Sequence, residues 1–117
     1  MVLGMPITDR VSERTHDNTD WKTFEYLGYQ GRIMLDVYWD EPSIEASVSL
    51  RNQFNIELLN VKHSEHVQHE RLGPVNVKAG KYYIRIQCND GESSYTVKVK
   101  DVESQGDTGG SYDQLPE

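Results

Sequence analysis

Hydrophobic and polar residues alternate with period two along most of the chain. Ile33, Leu35, Val37 and Trp39 are separated by Met34, Asp36 and Tyr38, the pattern of a strand with one face buried. Glu41-Pro42-Ser43 interrupts it, and Ile44, Ala46, Val48 and Leu50 then alternate with Glu45, Ser47 and Ser49 in a second such strand. After a turn over residues 51–55, the apolar run 56–61 is irregular because Leu58 and Leu59 are adjacent, which predicts a bulge. Residues 63–72 read as a mostly polar connection. Gly73-Pro74 opens a short segment with Val75 and Val77, and Ala79-Gly80 predicts another turn. Tyr82, Ile84, Ile86 and Cys88 share one face of the next strand, with Tyr83, Arg85 and Gln87 on the other. Asn89-Asp90-Gly91 reads as a hairpin turn leading into Tyr95, Val97 and Val99. Near the start, residues 7–11 predict an edge strand, and Phe24 and Tyr26 alternate with Thr23 and Glu25.

These segments predict an all-β, antiparallel sandwich of about seven or eight short strands, because a single sheet with one apolar face would leave that face wet. A chain of 117 residues has room for one such core. The domain is expected over residues 4–102. Residues 103–117, without apolar periodicity, read as a flexible acidic tail or linker. The formal charge of −7 and the lack of a Lys/Arg run argue against nucleic acid as a partner. No apolar stretch approaches the roughly 20 residues of a membrane-spanning helix, and Met1-Val2-Leu3-Gly4-Met5-Pro6 does not read as a signal peptide. The single cysteine, Cys88, excludes an internal disulfide.

Several residues are candidates for chemistry. By strand parity Met34, Tyr38, Tyr83 and Arg85 point outward; if their strands are neighbours, they form a partly apolar binding surface of a composition favoured in recognition. Trp21 and Trp39 are candidates for stacking on a sugar, although Trp39 shares the apolar face of its strand and is expected in the core. Asp17, Asn18 and Asp20 offer oxygen ligands to calcium, or form an Asx turn that caps its own backbone. His63, His66 and His69, with Glu65 and Glu70 nearby, have the donor types for zinc or nickel. Neither a strand nor a helix collects all three imidazoles on one face, since a strand puts His63 and His69 together and turns His66 away. Cys88 ends an inward row and is expected to be an inert buried thiol, and no Ser-centred nucleophile turn or phosphate loop is present.

The run Asp17-Asn18-Thr19-Asp20-Trp21-Lys22-Thr23-Phe24, a glycine turn at Gly31 and the strand from Ile33 to Trp39 resemble the opening of bacterial pre-peptidase C-terminal domains. Ala79-Gly80-Lys81-Tyr82-Tyr83-Ile84-Arg85-Ile86, the short Asn-Asp-Gly turn and Ser94-Tyr95-Thr96-Val97-Lys98-Val99 resemble that family's Gly-x-Tyr-Tyr strand and its Tyr-containing last strand. The resemblance implies a jelly-roll-like sandwich, an accessory role in secreted or periplasmic bacterial proteins or the soluble part of a lipoprotein, and, in some relatives, binding of calcium or of extracellular polymers. No catalytic domain accompanies this copy, which shifts the expectation toward a non-catalytic binding or assembly module whose partner is a protein or an extracellular polymer. No cofactor is expected unless calcium. Two alternatives stand beside it: a calcium-stabilised domain adhering to polysaccharide or protein, and a metal-dependent hydrolase acting through the histidines.

Overall fold

The computed structural model describes residues 1, 3–12, 18–63 and 66–102, and the segment expected as a tail lies outside them. Six strands account for the domain: β1 (Ile7–Ser12), β2 (Thr19–Trp39), β3 (Glu45–Asn52), β4 (Glu57–Lys62), β5 (His69–Asp90) and β6 (Glu92–Asp101). All pairings are antiparallel, in the order β1-β6-β2-β5-β3-β4.

Two of these strands are unusually long. Straight, the 21 residues of β2 would extend about 70 Å at the usual rise of a strand, yet no dimension of the molecule exceeds 47 Å. Both long strands therefore bend. The β2–β5 register runs from Thr19↔Gln87 to Tyr26↔Gly80, slips, resumes at Gln30↔Lys78, and slips again between Ile33 and Leu35. The first slip leaves Leu27, Gly28 and Tyr29 opposite Ala79 alone, and it pushes Leu27 (82 % exposed) and Tyr29 (86 %) into solvent. The second puts Gly73-Pro74 opposite Met34; a proline lacks the N–H that a regular ladder needs, and a bulge tolerates it.

The bent ribbon belongs to two layers. In the first, β1 and β6 lie beside the second half of β2, from Ile33↔Asp101 to Trp39↔Tyr95, with the first half of β5 on β2's other side. In the second, β3 and β4 lie beside the second half of β5, from Asn52↔Tyr82 to Glu45↔Asp90, with the first half of β2 beyond it. Each long strand counts once per layer, so six continuous strands supply the number of segments that the alternation predicts. The inward faces merge into one core in which Trp39, Tyr95, Ile33, Leu35, Leu50, Ile84 and Ile86 are completely enclosed. Burying each aliphatic side chain of this kind contributes roughly 1.5–3 kcal/mol. Polar contacts tie the layers together: Tyr95 Oη donates to Asp20 Oδ2 at 2.8 Å, and Lys22 forms an ion pair with Asp9 of β1.

The alternations predicted for residues 33–39, 44–50, 82–88 and 95–99 hold, and the bulge falls at Leu58, since Leu50 pairs with Leu59 and Arg51 with Glu57. Three expectations need correction. The glycine turn at Gly31 and the turn at Ala79-Gly80 are bends inside β2 and β5, because the two strands pair with each other straight through them. The polar connection is shorter than expected, since β5 begins at His69. Asn89-Asp90-Gly91 closes no hairpin either: β5 pairs with β2 and β3, β6 with β1 and β2, and the turn carries the chain from one layer to the other. Gly91 serves that arch with φ of 88°, packed against Ile44.

Gly73 has the tightest backbone constraint. Its φ is 105°, and a Cβ there would stand 3.1 Å from the carbonyl oxygen of Ile33. Gly73→Ala is expected to destabilise the domain by more than about 1 kcal/mol, read as a lower urea midpoint; an unchanged midpoint would show that the bulge adjusts without strain.

Candidate functional site

The outer face of the second layer carries the most distinctive group of side chains. Trp21 of β2 lies opposite Arg85 of β5, which lies opposite Ser49 of β3; one row along, Thr23, Tyr83 and Arg51 are aligned in the same way. Parity puts all six outward, because their neighbours Phe24, Ile84 and Leu50 point into the core. Trp21 remains 51 % exposed, with the Arg85 guanidinium 5.9 Å from its ring centroid, and Lys81 Nζ stands 5.7 Å from the ring of Tyr83.

The rim comes from the β3–β4 turn. Asn52 Oδ1 accepts from the backbone N–H groups of Phe54 and Ile56 at 2.9 and 3.0 Å, which folds the turn back on itself. Asn55 takes a positive φ of 64°, a conformation that asparagine tolerates. Arg51 reaches Asn55 Oδ1 through Nη1 at 3.2 Å and Glu57 Oε1 through Nη2 at 3.1 Å. The result is a shallow depression of about 490 Å³ lined by Trp21, Thr23, Tyr83 and the amide side chains of Asn52, Gln53 and Asn55.

Beneath it lie polar atoms without partners. Among the described residues, the buried side-chain nitrogens and oxygens lacking a hydrogen bond are Ser49 Oγ, Arg51 Nε and Arg85 Nε, and all three belong to this one face. Native folds leave few such groups, and a cluster of them calls for a specific cause. These three atoms are closed to solvent, so the groups of this face that a ligand can reach are the Trp21 and Tyr83 rings and the amide-bearing residues of the rim.

The four-residue surface predicted from Met34, Tyr38, Tyr83 and Arg85 is divided by the fold. Tyr83 and Arg85 are on the second layer; Met34 and Tyr38 pair with β6 and the first half of β5, on the outer face of the first. Parity shows which residues point outward but not which layer they belong to. Tyr38, 44 % exposed, stacks on His69 with ring centroids 4.2 Å apart and planes 9° from parallel.

Between Met34 and Tyr38, Asp36 is buried despite its outward parity. Its Oδ1 accepts from His69 Nε2 at 3.0 Å and Arg71 Nε at 2.9 Å, and Lys100 Nζ lies 3.2 Å from Oδ2. Burial pushes its pKa up, but the bonds from Arg71, His69 and Lys100 outweigh that and lower it from 3.8 to about 2.

The remaining candidates are dispersed. Asp17 and Glu65 lie outside the described residues. The Asn18 carbonyl accepts from the Cys88 N–H at 2.7 Å, and Asp20 is bonded to Tyr95. His63 and His69 do not share a face: His63 is buried, with Nδ1 2.7 Å from Glu70 Oε1 and Nε2 2.8 Å from the Pro42 carbonyl, whereas His69 is on the outside against Asp36 and His66 is exposed. β4 ends at Lys62 and β5 begins at His69, so no single strand carries the alternation that would align them. Among the described residues no three His, Cys, Asp or Glu side chains are grouped as metal ligands. Cys88 is buried, and Trp39 is enclosed with Nε1 donating to Glu70 at 2.9 Å. Among the described residues no helix is long and apolar enough to cross a membrane.

Comparison with solved structures places this architecture. The chain aligns with the pre-peptidase C-terminal domain of a collagenase from Bacillus anthracis at a TM-score of 0.68 and 21 % identity, covering 86 % of this chain and 91 % of that one. It therefore has the fold of that domain. A second alignment, to the C-terminal CBM6 of LamC, a marine laminarinase from Zobellia galactanivorans, has a TM-score of 0.45 and 10 % identity over 79 % of this chain and 99 % of the other. No protein-family model and no curated protein sequence matches.

Asp36 generates a test. A carboxylate whose folded pKa lies below its unfolded value adds stability above about pH 3.8, and that stability is lost as pH falls toward 2. The shift corresponds to about 2 kcal/mol. Asp36→Asn is expected to lower stability at neutral pH by that order and to flatten its decline between pH 4 and 2, measured by urea unfolding at stepped pH. Parallel pH profiles for the two proteins would show that Asp36 is not the group responsible.

Proposed function

We propose that this domain, with the fold of the pre-peptidase C-terminal domain, is a non-catalytic binding module that grips an extracellular polymer on the outer face of its second layer. The observation that carries the proposal is the coincidence on one sheet face of exposed Trp21 and the Tyr83 ring with the side-chain amides of Asn52, Gln53 and Asn55 around one shallow depression. A polysaccharide suits this chemistry best. The apolar face of a sugar ring stacks on an indole or phenol, while its hydroxyls meet the side-chain amides of Asn52, Gln53 and Asn55. The depression is open along the sheet, which suits a chain passing across it better than a small molecule enclosed within it.

A non-catalytic role is supported by the engagement of the reactive groups in structural contacts. His63 has both nitrogens bonded, and Cys88 Sγ is enclosed 3.3 Å from the Gly91 carbonyl. The fold shared with a domain of a collagenase fits a module that works beside polymers outside the cytoplasm.

Fluorescence offers a direct test, because Trp39 is enclosed and Trp21 exposed. Titration with a panel of soluble neutral polysaccharides is expected to give a saturable change in emission that Trp21→Phe attenuates. Trp21→Ala is expected to weaken binding about tenfold or more, in line with loss of a central aromatic contact, with the melting temperature nearly unchanged. If no polysaccharide shifts the emission, or Trp21→Ala binds as the parent does, the proposal fails. A collagen-like triple helix that binds with the same Trp21 dependence would keep the surface and replace the ligand class.

A further inference from the structure

The opposite face carries a different chemistry. On the outside of the first layer Asp36 is flanked by Lys98 of β6 and Arg71 of β5 as its cross-strand partners, with Lys100 and His69 on the diagonals. Three permanently cationic side chains thus surround one carboxylate, a local excess of positive charge on a chain whose formal charge is −7.

How Asp36 uses its partners matters. It holds Arg71 through Nε, so the two terminal nitrogens of that guanidinium, on a side chain 52 % exposed, have no partner among the described residues. Lys98 has none either. Asp36 thus orients Arg71 by its Nε and leaves the outer fork of that guanidinium available, while it meets Lys100 at the ammonium itself; a guanidinium fork matches the geometry of carboxylate or sulfate oxygens.

Next to this strip runs a groove of about 590 Å³ lined by Tyr38, Thr8, Ser94, Thr96 and Gln68 among others, with the Thr8 and Thr96 hydroxyls bonded to each other. Hydroxyls, an amide and an exposed phenol ring suit a sugar. From Lys98 to Arg71 the strip crosses only three strands, about 10 Å, and the lining of the groove includes the acidic Asp40. A nucleic-acid duplex, with one negative charge per roughly 1.7 Å of its axis, extends well past so narrow a strip.

We infer that the outer face of the first layer is a second binding surface, which takes an acidic polysaccharide by seating its carboxylate or sulfate groups on Arg71, Lys98 and Lys100 and a sugar ring beside Tyr38. This surface is separate from the Trp21 face, and neither depends on the other. Asp36 is a positioning residue in it.

Affinity electrophoresis of the full chain through gels containing polygalacturonate, dextran sulfate or neutral dextran tests the inference. Retardation is expected in the two acidic polymers, weakening as salt is raised, and not in neutral dextran; stronger retardation by polygalacturonate or by dextran sulfate identifies the carboxylate or the sulfate as the preferred group. Lys98→Ala is expected to weaken retention about fivefold and Lys98→Ala with Lys100→Ala further, with melting temperatures confirming that the variants fold. Trp21→Ala is expected to be retained like the parent, which separates this surface from the proposed neutral-polymer face. Three results would each overturn the inference: no retardation by either acidic polymer at low salt, retention unaffected in the double lysine variant, or tighter binding of a DNA duplex than of polygalacturonate.

Discussion

The β2–β5 ribbon is the constraint on which everything else rests. It supplies two strand segments to each layer, so its register decides the orientation of side chains in both. A slip of one residue turns every side chain of a strand to the opposite face. Along β2 it would expel Leu35, Val37 and Trp39 from the core and bring Asp36 inside. The two bulges, one on each strand, allow the ribbon to bend while both halves keep their alternation. Gly73 and the exposed segment from Leu27 to Tyr29 are consequences of that requirement.

With the ribbon fixed, the two outer faces follow from parity. The second layer turns Trp21, Tyr83 and Arg85 outward together because the first half of β2 lies beside the second half of β5. The first layer joins Met34, Asp36 and Tyr38 to lysines of β6 and to His69 and Arg71 of β5. One ribbon thereby presents an aromatic and amide surface on one side and a cationic surface on the other. Their chemistries suit different parts of a polymer, or different polymers.

Much of the fold is legible in the sequence because burial in a strand has a local period. The inward rows ending at Trp39, Leu50, Cys88 and Val99 follow directly from alternation. Pairing is not local, and there the sequence is silent. Asn89-Asp90-Gly91 has the chemistry of a hairpin, but the same residues make an arch when the strand that follows finds its partners in the other layer. The candidate sites divide in the same way. Tyr83 and Arg85 share one outer face, as their parity predicts, and Trp21 is identifiable as a stacking candidate. Met34 and Tyr38 belong elsewhere, since a parity rule carries no layer label. Asp36 is hidden by longer cross-strand neighbours that lie far from it in sequence. Arg71, Lys98 and Lys100 make a basic strip only in space, so no run of positive charge announces it. Ser49 belongs to the predicted alternation, whereas Arg51, read from the sequence as the start of a turn, lies within β3, which runs on to Asn52.

The pairing of β1 with β6 has a kinetic meaning. Thr8 and Thr96 hydroxyls meet at 2.9 Å across a sequence separation of 88 residues, and β1 has no other strand partner. During synthesis β1 therefore waits for β6, which leaves the ribosome several seconds later at ordinary rates. Non-local closure of this kind belongs to the slow end of single-domain folding. Until β6 arrives, Leu35, Val37 and Trp39 lack their neighbours Val99, Val97 and Tyr95, and the first layer stays open. β6 thus acts as a check on completeness: a domain cut short before it would expose Leu35, Val37 and Trp39 of the first layer to proteases and chaperones.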